Sequence, residues 1–529
     1  MLGAPKQRVS SIETFQAPTN GLNDLDSIAA MDPSFALVCL NWFPGQSSLS
    51  VRPGYKKWTT GFASNVQTLM CYAGPTNMDT LFAATNQGIY NINVSGAPGA
   101  IQTPLTFGRV SYTNYANVSG NYLVVVNGQD KGKLYNGTTW VEYVTVLTTP
   151  AAPNEIRGVD SERLNYVHAF KKRLWFVEEN SMTAWYLPTD ATGGDAKPFY
   201  LGSVFMKGGF LETIFSWSLD GGDGLDDIIM FLSSKGEIAF YQGNDPDNAT
   251  TFNLSSVYYV GSFLGNRSVV DFGGDVVLLT TAGAVTVSSI VGGTQALTSN
   301  QDTLTRNISK TLSSMLRKLN YAPQWEMYNV SPFQMLFINF PSISGLPAVQ
   351  YVMNTVTGRW CSFDYPLLTM VQCHHRIYFS DTSGNVWIVT GDDHMDQINS
   401  DGSGGSIIIS DVKQAYNYFG QRGVDKHFNL IRPMFVAKYH PGVVAKISVD
   451  FAPSGVFVAP VPPPNPPSDD LWDVAVWDTA VWSPEKDVQM QWMGVEGLGY
   501  CASLVMRTSS NIETEFVSVD WVYDPANSI

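Results

Sequence analysis

The chain has 529 residues, of which 44% are hydrophobic and 15% charged, with a net charge of −15. That apolar content rules out wholesale disorder and is enough for two or three packed domains. The acidic balance argues against a protein that grips nucleic acid, which needs Lys and Arg at the phosphates, and no apolar run approaches the ~18 residues of a membrane span.

With so few charges, the polar surface falls to Asn, Gln, Ser, Thr and Gly, which favour turns and strand edges. The chain carries 46 Gly, 29 Pro and 12% aromatics, the mix of many short strands joined by many turns. Residues 1–17 have no apolar core of the signal-peptide kind, and residues 1–59 read as an extended segment that closes or flanks the following domain.

From there a hairpin signature recurs: an apolar strand, a polar turn with Gly, then a strand with aromatic or β-branched residues. Its copies are Leu81–Tyr90, Tyr122–Tyr135, Leu174–Tyr186, Ile228–Tyr241, Val276–Val287, a looser Met335–Phe340 with Val349–Met353, and Ile377–Ile388. A spacing of roughly 40–60 residues is that of propeller blades, and a lone hairpin cannot bury its own face. Residues 60–399 are therefore expected to form a β-propeller of about seven blade-like repeats in an all-β protein. One segment breaks the pattern. Ile308, Leu312, Met315, Leu316 and Leu319 follow helical spacing, with Lys310, Arg317 and Lys318 opposite, so a helix inserted at 305–319 is expected.

Residues 400–409, rich in Gly and Ser, read as a linker. Residues 410–529 read as a small C-terminal β-sandwich, interrupted by a Pro-rich loop at 453–467 that lacks the donors a sheet strand needs. The five cysteines (Cys39, Cys71, Cys361, Cys373 and Cys501) are odd in number, widely spaced and without a C-x-x-C, and read as reduced thiols made in a reducing cytoplasm.

Catalytic signatures are scarce. There is no G-x-S-x-G and no H-E-x-x-H. Gly128–Leu134 resembles a phosphate loop, but it is one residue short, has Leu134 where a metal-binding hydroxyl belongs, and sits in a hairpin turn. Asp220, Asp223, Asp226 and Asp227 form the best candidate for a hard cation, although their order is not that of an EF-hand and a solvated turn explains them as well. Cys373-His374-His375 offers soft ligands that would point to opposite faces of a strand, and His168 and His394 stand alone. Trp472, Trp477 and Trp482 recur every five residues, which fits neither a helix nor a strand face. They read as interface or packing groups in preference to sugar platforms. No catalytic residue, cofactor or firm metal site is expected.

Several stretches resemble one family. Phe15-Gln16-Ala17-Pro18-Thr19-Asn20-Gly21-Leu22-Asn23, Leu40-Asn41-Trp42-Phe43-Pro44 and Val51-Arg52-Pro53-Gly54-Tyr55 are similar to the opening of tail nozzle, or packaged-DNA stabilisation (tail accessory), proteins of short-tailed bacteriophages. Asn180–Pro188, Trp217–Asp220 with Gly224–Asp227, Tyr241–Pro246, Ala415–Gly420 and the Trp-Asp repeats resemble later parts of that family. The resemblance implies a virion structural protein, made in the host bacterial cytoplasm. It implies a propeller-containing subunit of a homo-oligomeric ring, commonly a hexamer, below the portal and adaptor. Such a ring extends the DNA channel, helps retain the packaged genome and docks tail fibres or spikes. Double-stranded DNA passes through without specific binding. The family has no catalytic residues to carry over, and Arg52 and Tyr55 join the tryptophans as interface candidates. The competing readings are a receptor- or glycan-binding tail protein and a propeller glycosidase. Against the sialidase-like form of the latter stands the absence of S-x-D-x-G-x-T-W boxes.

Overall fold

The computed structural model describes residues 10–75, 79–220, 225–292, 303–319, 325–341, 348–391, 393–452 and 486–525. The chain forms two units: 57–350 with 365–388, and 1–56 with 351–364 and 389–529. No helix among the described residues is long and apolar enough to cross a membrane.

The first unit is an all-β propeller with six meander blades among the described residues. Their innermost strands are Thr68–Tyr72, Ser111–Asn117, Leu164–Phe170, Leu211–Asp220, Val269–Phe272 and Thr369–Cys373. The ring closes by mixing chain ends. The last blade takes its outer strand from Tyr55–Thr60, and Trp58 stacks edge-on against Tyr378 at 5.2 Å.

The apolar runs of the sequence are the second strands of these blades, which are buried on both faces. Alternate side chains of one strand go to two different cores. Phe82 and Ala84 pack with Leu123 and Val125 of the next blade, while Leu81 and Ala83 pack with Tyr378 and Val386 of the last. Leu174 and Phe176 face the second blade, whereas Trp175 and Val177 face Ile229 and Phe231 of the fourth. Each such side chain contributes about 1.5–3 kcal/mol by leaving water, so the cohesion of the ring lies between the blades. Two-residue turns join inner to second strands. Lys171-Lys172 (φ 43° and 58°) and His374-His375 (φ 50° and 58°) take the left-handed pair of angles that matches strand twist in a tight hairpin.

The blade count corrects the expectation of seven. The looser copy does not close into a separate blade. Glu326–Val330 and Met335–Asn339 form a hairpin in this unit, but Gln350–Asn354 falls, beyond its first residue, in the other. Alternating burial records that a strand is covered on both faces, not which sheet it joins. The helix occupies Ser309–Lys318, preceded by a 3-10 turn at Arg306–Ile308, and buries Leu312 and Leu316.

The cysteine reading is also corrected. Cys71 and Cys373 form a disulfide, with Cα atoms 5.5 Å apart. A separation of 302 residues hides that they sit on innermost strands of the first and last blades, which become neighbours only when the ring closes. Cys39, Cys361 and Cys501 are free and buried.

The second unit draws on both chain ends. In one sheet, Thr514–Pro525 is flanked by Ser11–Gln16 and Leu49–Val51 on the N-terminal side of the chain and by Lys426–Ala437. In the other, Ala36–Leu40, Ser406–Gln414, Ala502–Ser510 and Gly442–Val449 lie in that order. Residues 11–51 thus pair with the C-terminal strands of this unit. Ser406 already opens a strand inside the Gly/Ser stretch read as a linker, because Ile407-Ile408-Ile409 supplies a β-branched run. The Pro-rich loop lies outside the described residues.

Candidate functional site

A polar cluster of the propeller joins residues from several of its strands. Thr68 and Thr369 are each the first residue of an innermost strand, Arg109 and Arg267 stand two residues ahead of one, and Glu326 opens the hairpin strand Glu326–Val330. Equal placement along innermost strands brings the first four of these positions to the same end of the ring.

Glu326 is the hub, with its side chain 2% exposed. Its Oε1 accepts from Arg109 Nη1 at 2.6 Å and from Arg267 Nη1 at 2.7 Å, and its Oε2 accepts from the Tyr328 hydroxyl. Arg267 Nη2 donates to Thr68 Oγ1 at 2.6 Å and to the Val110 carbonyl at 2.8 Å. Thr369 Oγ1 lies 3.2 Å from the Tyr328 hydroxyl. Burial, and then the charge of Arg267, pull the Arg109 guanidinium below its usual range, against the opposing pull of Glu326. The Arg109 Nη2 atom is buried without a hydrogen-bond partner. Beside this cluster lies a cavity of about 360 Å³. Its walls include Arg267, Asn266, Tyr112, Tyr166, Tyr328 and Gln372.

The site offers one carboxylate, tied up by two guanidiniums and a phenol. Among the described residues the cavity walls present a guanidinium, phenols and amides, which are hydrogen-bonding groups. A second pair sits nearby, with His168 Nε2 3.1 Å from Ser216 Oγ and the imidazole stacked on Phe215. Burial pushes the His168 pKa down to about 4, so the ring is neutral at pH 7.

The residues singled out from sequence fall elsewhere. Asp223 lies outside the described residues. Asp220 and Asp226 are placed as backbone in the fourth blade's hairpin, opposite Leu225 and Leu219, and Asp227 accepts from Ser218 Oγ at 2.6 Å. Among the described residues no group of three or more His, Cys, Asp or Glu could hold a metal. Cys373-His374-His375 is divided between the disulfide and a turn, with His374 Nε2 3.0 Å from the Asp79 carbonyl. In the stretch resembling a phosphate loop, Asp130 caps Thr106 and Phe107, and Lys133 pairs with Glu142. Trp472, Trp477 and Trp482 lie outside the described residues.

Arg52 and Tyr55, taken as interface candidates, are both buried and have no surface to present to a partner. All five N–H donors of Arg52 are engaged inside the second unit. They reach Asn41 Oδ1 at 2.9 Å, the Pro53 carbonyl at 3.1 Å, Asp364 at 2.8 Å, and both oxygens of Asp396 at 2.7 and 2.6 Å. His394, the lone histidine, places Nδ1 3.3 Å from the Arg52 carbonyl.

Motif reading missed the polar cluster because its members are single residues scattered from position 68 to 369. The one available signal was positional: a charged or hydroxyl residue at the threshold of each inner-strand run.

No family model and no curated protein matches the chain. Several solved structures are similar to it at low identity. BBS1N in complex with ARL6DN is 11% identical, covering 64% of this chain and 98% of that one, with a TM-score of 0.36. YCF48 from Cyanidioschyzon merolae is 9% identical over 63% of this chain and 98% of that one, with a TM-score of 0.28. An exo-β-1,3-galactanase from Phanerochaete chrysosporium with galactose is 9% identical over 89% of this chain and all of that one, with a TM-score of 0.22.

Proposed function

We propose that this chain is a non-enzymatic structural subunit of a tailed-phage particle. It forms a ring, the nozzle, that extends the DNA channel below the portal adaptor, helps retain the packaged genome and docks fibres or spikes. In this reading the propeller is a rigid wedge of the ring and the second unit is a β-sandwich. The observation that supports it most is the convergence of the stretches that carry the family resemblance. Phe15 stacks edge-on against Phe419 at 5.3 Å, joining the first of these stretches to Ala415–Gly420. Asn41 and Arg52 join the second and third through two hydrogen bonds, one from the Arg52 side chain and one from its backbone N–H. Gly21 (φ 70°) and Gly54 hold places where a Cβ would come within 2.3 Å of the Trp360 carbonyl and 2.0 Å of the Met395 carbonyl. In the propeller, Tyr186 and Tyr241, from two further stretches, share a core. The resembling residues therefore do joint structural work, which fits common descent of a scaffold better than chance composition.

The edge of the second unit's first sheet gives a surface for ring contacts. Val488, Met490, Trp492 and Leu498 are exposed on or beside strands Asp487–Met490 and Met493–Gly499.

The test is electron microscopy of phage particles labelled with an antibody against this chain. Label in a ring coaxial with the DNA channel at the tail vertex is expected. Label on peripheral fibres, or none on the particle, would overturn the nozzle and move a receptor-binding or glycosidase role forward.

A further inference from the structure

The polar cluster carries an imbalance. Two guanidiniums face one carboxylate, and both use the same oxygen of Glu326. Buried charge is costly unless paired, and within this hydrogen-bonded cluster two guanidinium charges share one carboxylate. Asp271, on the inner strand Val269–Phe272, makes no ion pair with either arginine, both of which pair with Glu326, and burial raises its carboxyl above the usual range.

The adjoining cavity has the matching chemistry. Its walls present the Arg267 guanidinium, the phenols of Tyr112, Tyr166 and Tyr328, and the amides of Asn266 and Gln372, but among the described residues no Asp or Glu. That is unexpected in a chain with 46 acidic residues against 31 basic ones. Arg267 is 18% exposed, so its charge reaches the cavity, while hydrogen bonds to Thr68, Val110 and Glu326 and longer ones to the Gln67 carbonyl and Thr369 engage both terminal nitrogens and fix its plane. A cavity of about 360 Å³ is within the range of small-molecule sites.

We propose that this cavity binds a small oxyanion-bearing solute, through a carboxylate or a phosphate group, whose charge balances the second arginine. The Tyr112 and Tyr166 hydroxyls and the Asn266 and Gln372 amides supply the remaining hydrogen bonds, and Arg267 is held for the purpose by Glu326 and Thr68. The site is independent of the nozzle reading, since it needs only the propeller.

Isothermal titration calorimetry of the full chain tests this, with inorganic phosphate in one arm and malonate in the other, at matched ionic strength. One-to-one saturable binding in at least one arm is expected, weakened at least about tenfold by Arg267→Gln and several-fold by Tyr112→Phe. Binding in only one arm identifies the group. If circular dichroism shows that Arg267→Gln does not fold, Arg109→Gln, whose ion pair is single and more exposed, carries the same expectation. Absence of saturable heat in both arms up to about 10 mM overturns the proposal, as does binding left unchanged by the folded arginine variant and by Tyr112→Phe.

Discussion

Arg52→Ala should be among the most damaging single changes in the second unit. The side chain is 1% exposed and ties three distant segments together, reaching Asp364 and Asp396 across 312 and 344 residues of chain. Asp396 is 15% exposed and Asp364 44% exposed. Breaking a buried pair by removing one member costs about 3–5 kcal/mol, because the other charge is left uncompensated. In a unit of roughly 150–250 residues each kcal/mol moves the midpoint by about 2–4 °C, so a fall near 10 °C is expected. Asp396→Ala should cost less, since Asp364 still balances the guanidinium. Asp364→Ala should cost about 1 kcal/mol or less, because half-exposed pairs are screened. Arg52→Lys should not rescue, as an ammonium cannot make the paired bonds to Asp396. The pH dependence gives a second check. Burial holds the Asp396 carboxyl above its usual range, with the hydrogen bonds and charge of Arg52 opposing. Removing Arg52 raises it further, so the folded variant favours the protonated acid more strongly. That part of the deficit should be full at pH 7 and shrink as the pH falls through the variant's carboxyl pKa. Differential scanning calorimetry of the three alanine variants at pH 7 and pH 5 decides. A cost below about 1 kcal/mol for Arg52→Ala, or equal costs for Asp364→Ala and Asp396→Ala, would refute the node.

Thiol titration of the denatured, unreduced chain should find the three free cysteines Cys39, Cys361 and Cys501, and five after reduction. Cys71→Ser should lower the propeller's stability by about 2–5 kcal/mol, and a reductant should lower the midpoint of the wild type but not of that variant. Burial pushes the Glu212 pKa up to about 7, so its favourable neutral form is complete below the unfolded value and lost as pH rises through 7. Glu212→Gln should therefore stabilise the protein at pH 8, by at most about 3 kcal/mol, and have no effect near pH 4; a constant difference across that range would count against this account. Lys172→Gly, at φ 58° in a tight hairpin, should raise stability by about 0.4–1 kcal/mol in urea denaturation, and a loss there would mean that the Lys172 side chain contributes more than its strain.

The repeat was legible because the second strand of each blade is covered on both faces. Runs such as Leu174–Val177 and Ile229–Leu232 therefore interrupt an otherwise polar chain at regular distances. The helix was legible from Leu312 and Leu316 at spacing four. Long-range closure was not. Nothing local marks Cys71 for Cys373, or Glu326 for Arg109 and Arg267, since each contributes one residue from a different blade or hairpin. The pairing of Ser11–Gln16 with Ser518–Tyr523 is equally hidden, because a strand's alternation names its faces and not its neighbour. Arg52 illustrates the converse error. A conspicuous charged residue in a resembling stretch suggested a surface role, yet its five donors are all satisfied inside the unit.

The interleaving of the second unit sets the order in which it can be made. Ser11–Gln16 and Leu49–Val51 both pair with Thr514–Pro525, and Tyr523 donates to Glu13 across 510 residues. On a ribosome adding roughly 5–20 residues per second, the early strands wait on the order of 25–100 s for that partner to emerge. Throughout that time their open edges are templates for any passing strand, including those of sister chains on the same messenger. The propeller between them has time to fold first, and the second unit assembles only after Thr514–Pro525 has emerged, around strands held apart until then. Chaperone demand should therefore follow translation speed. Slowing the ribosome should reduce the soluble yield of this chain more than that of a propeller segment expressed with all its strands in order.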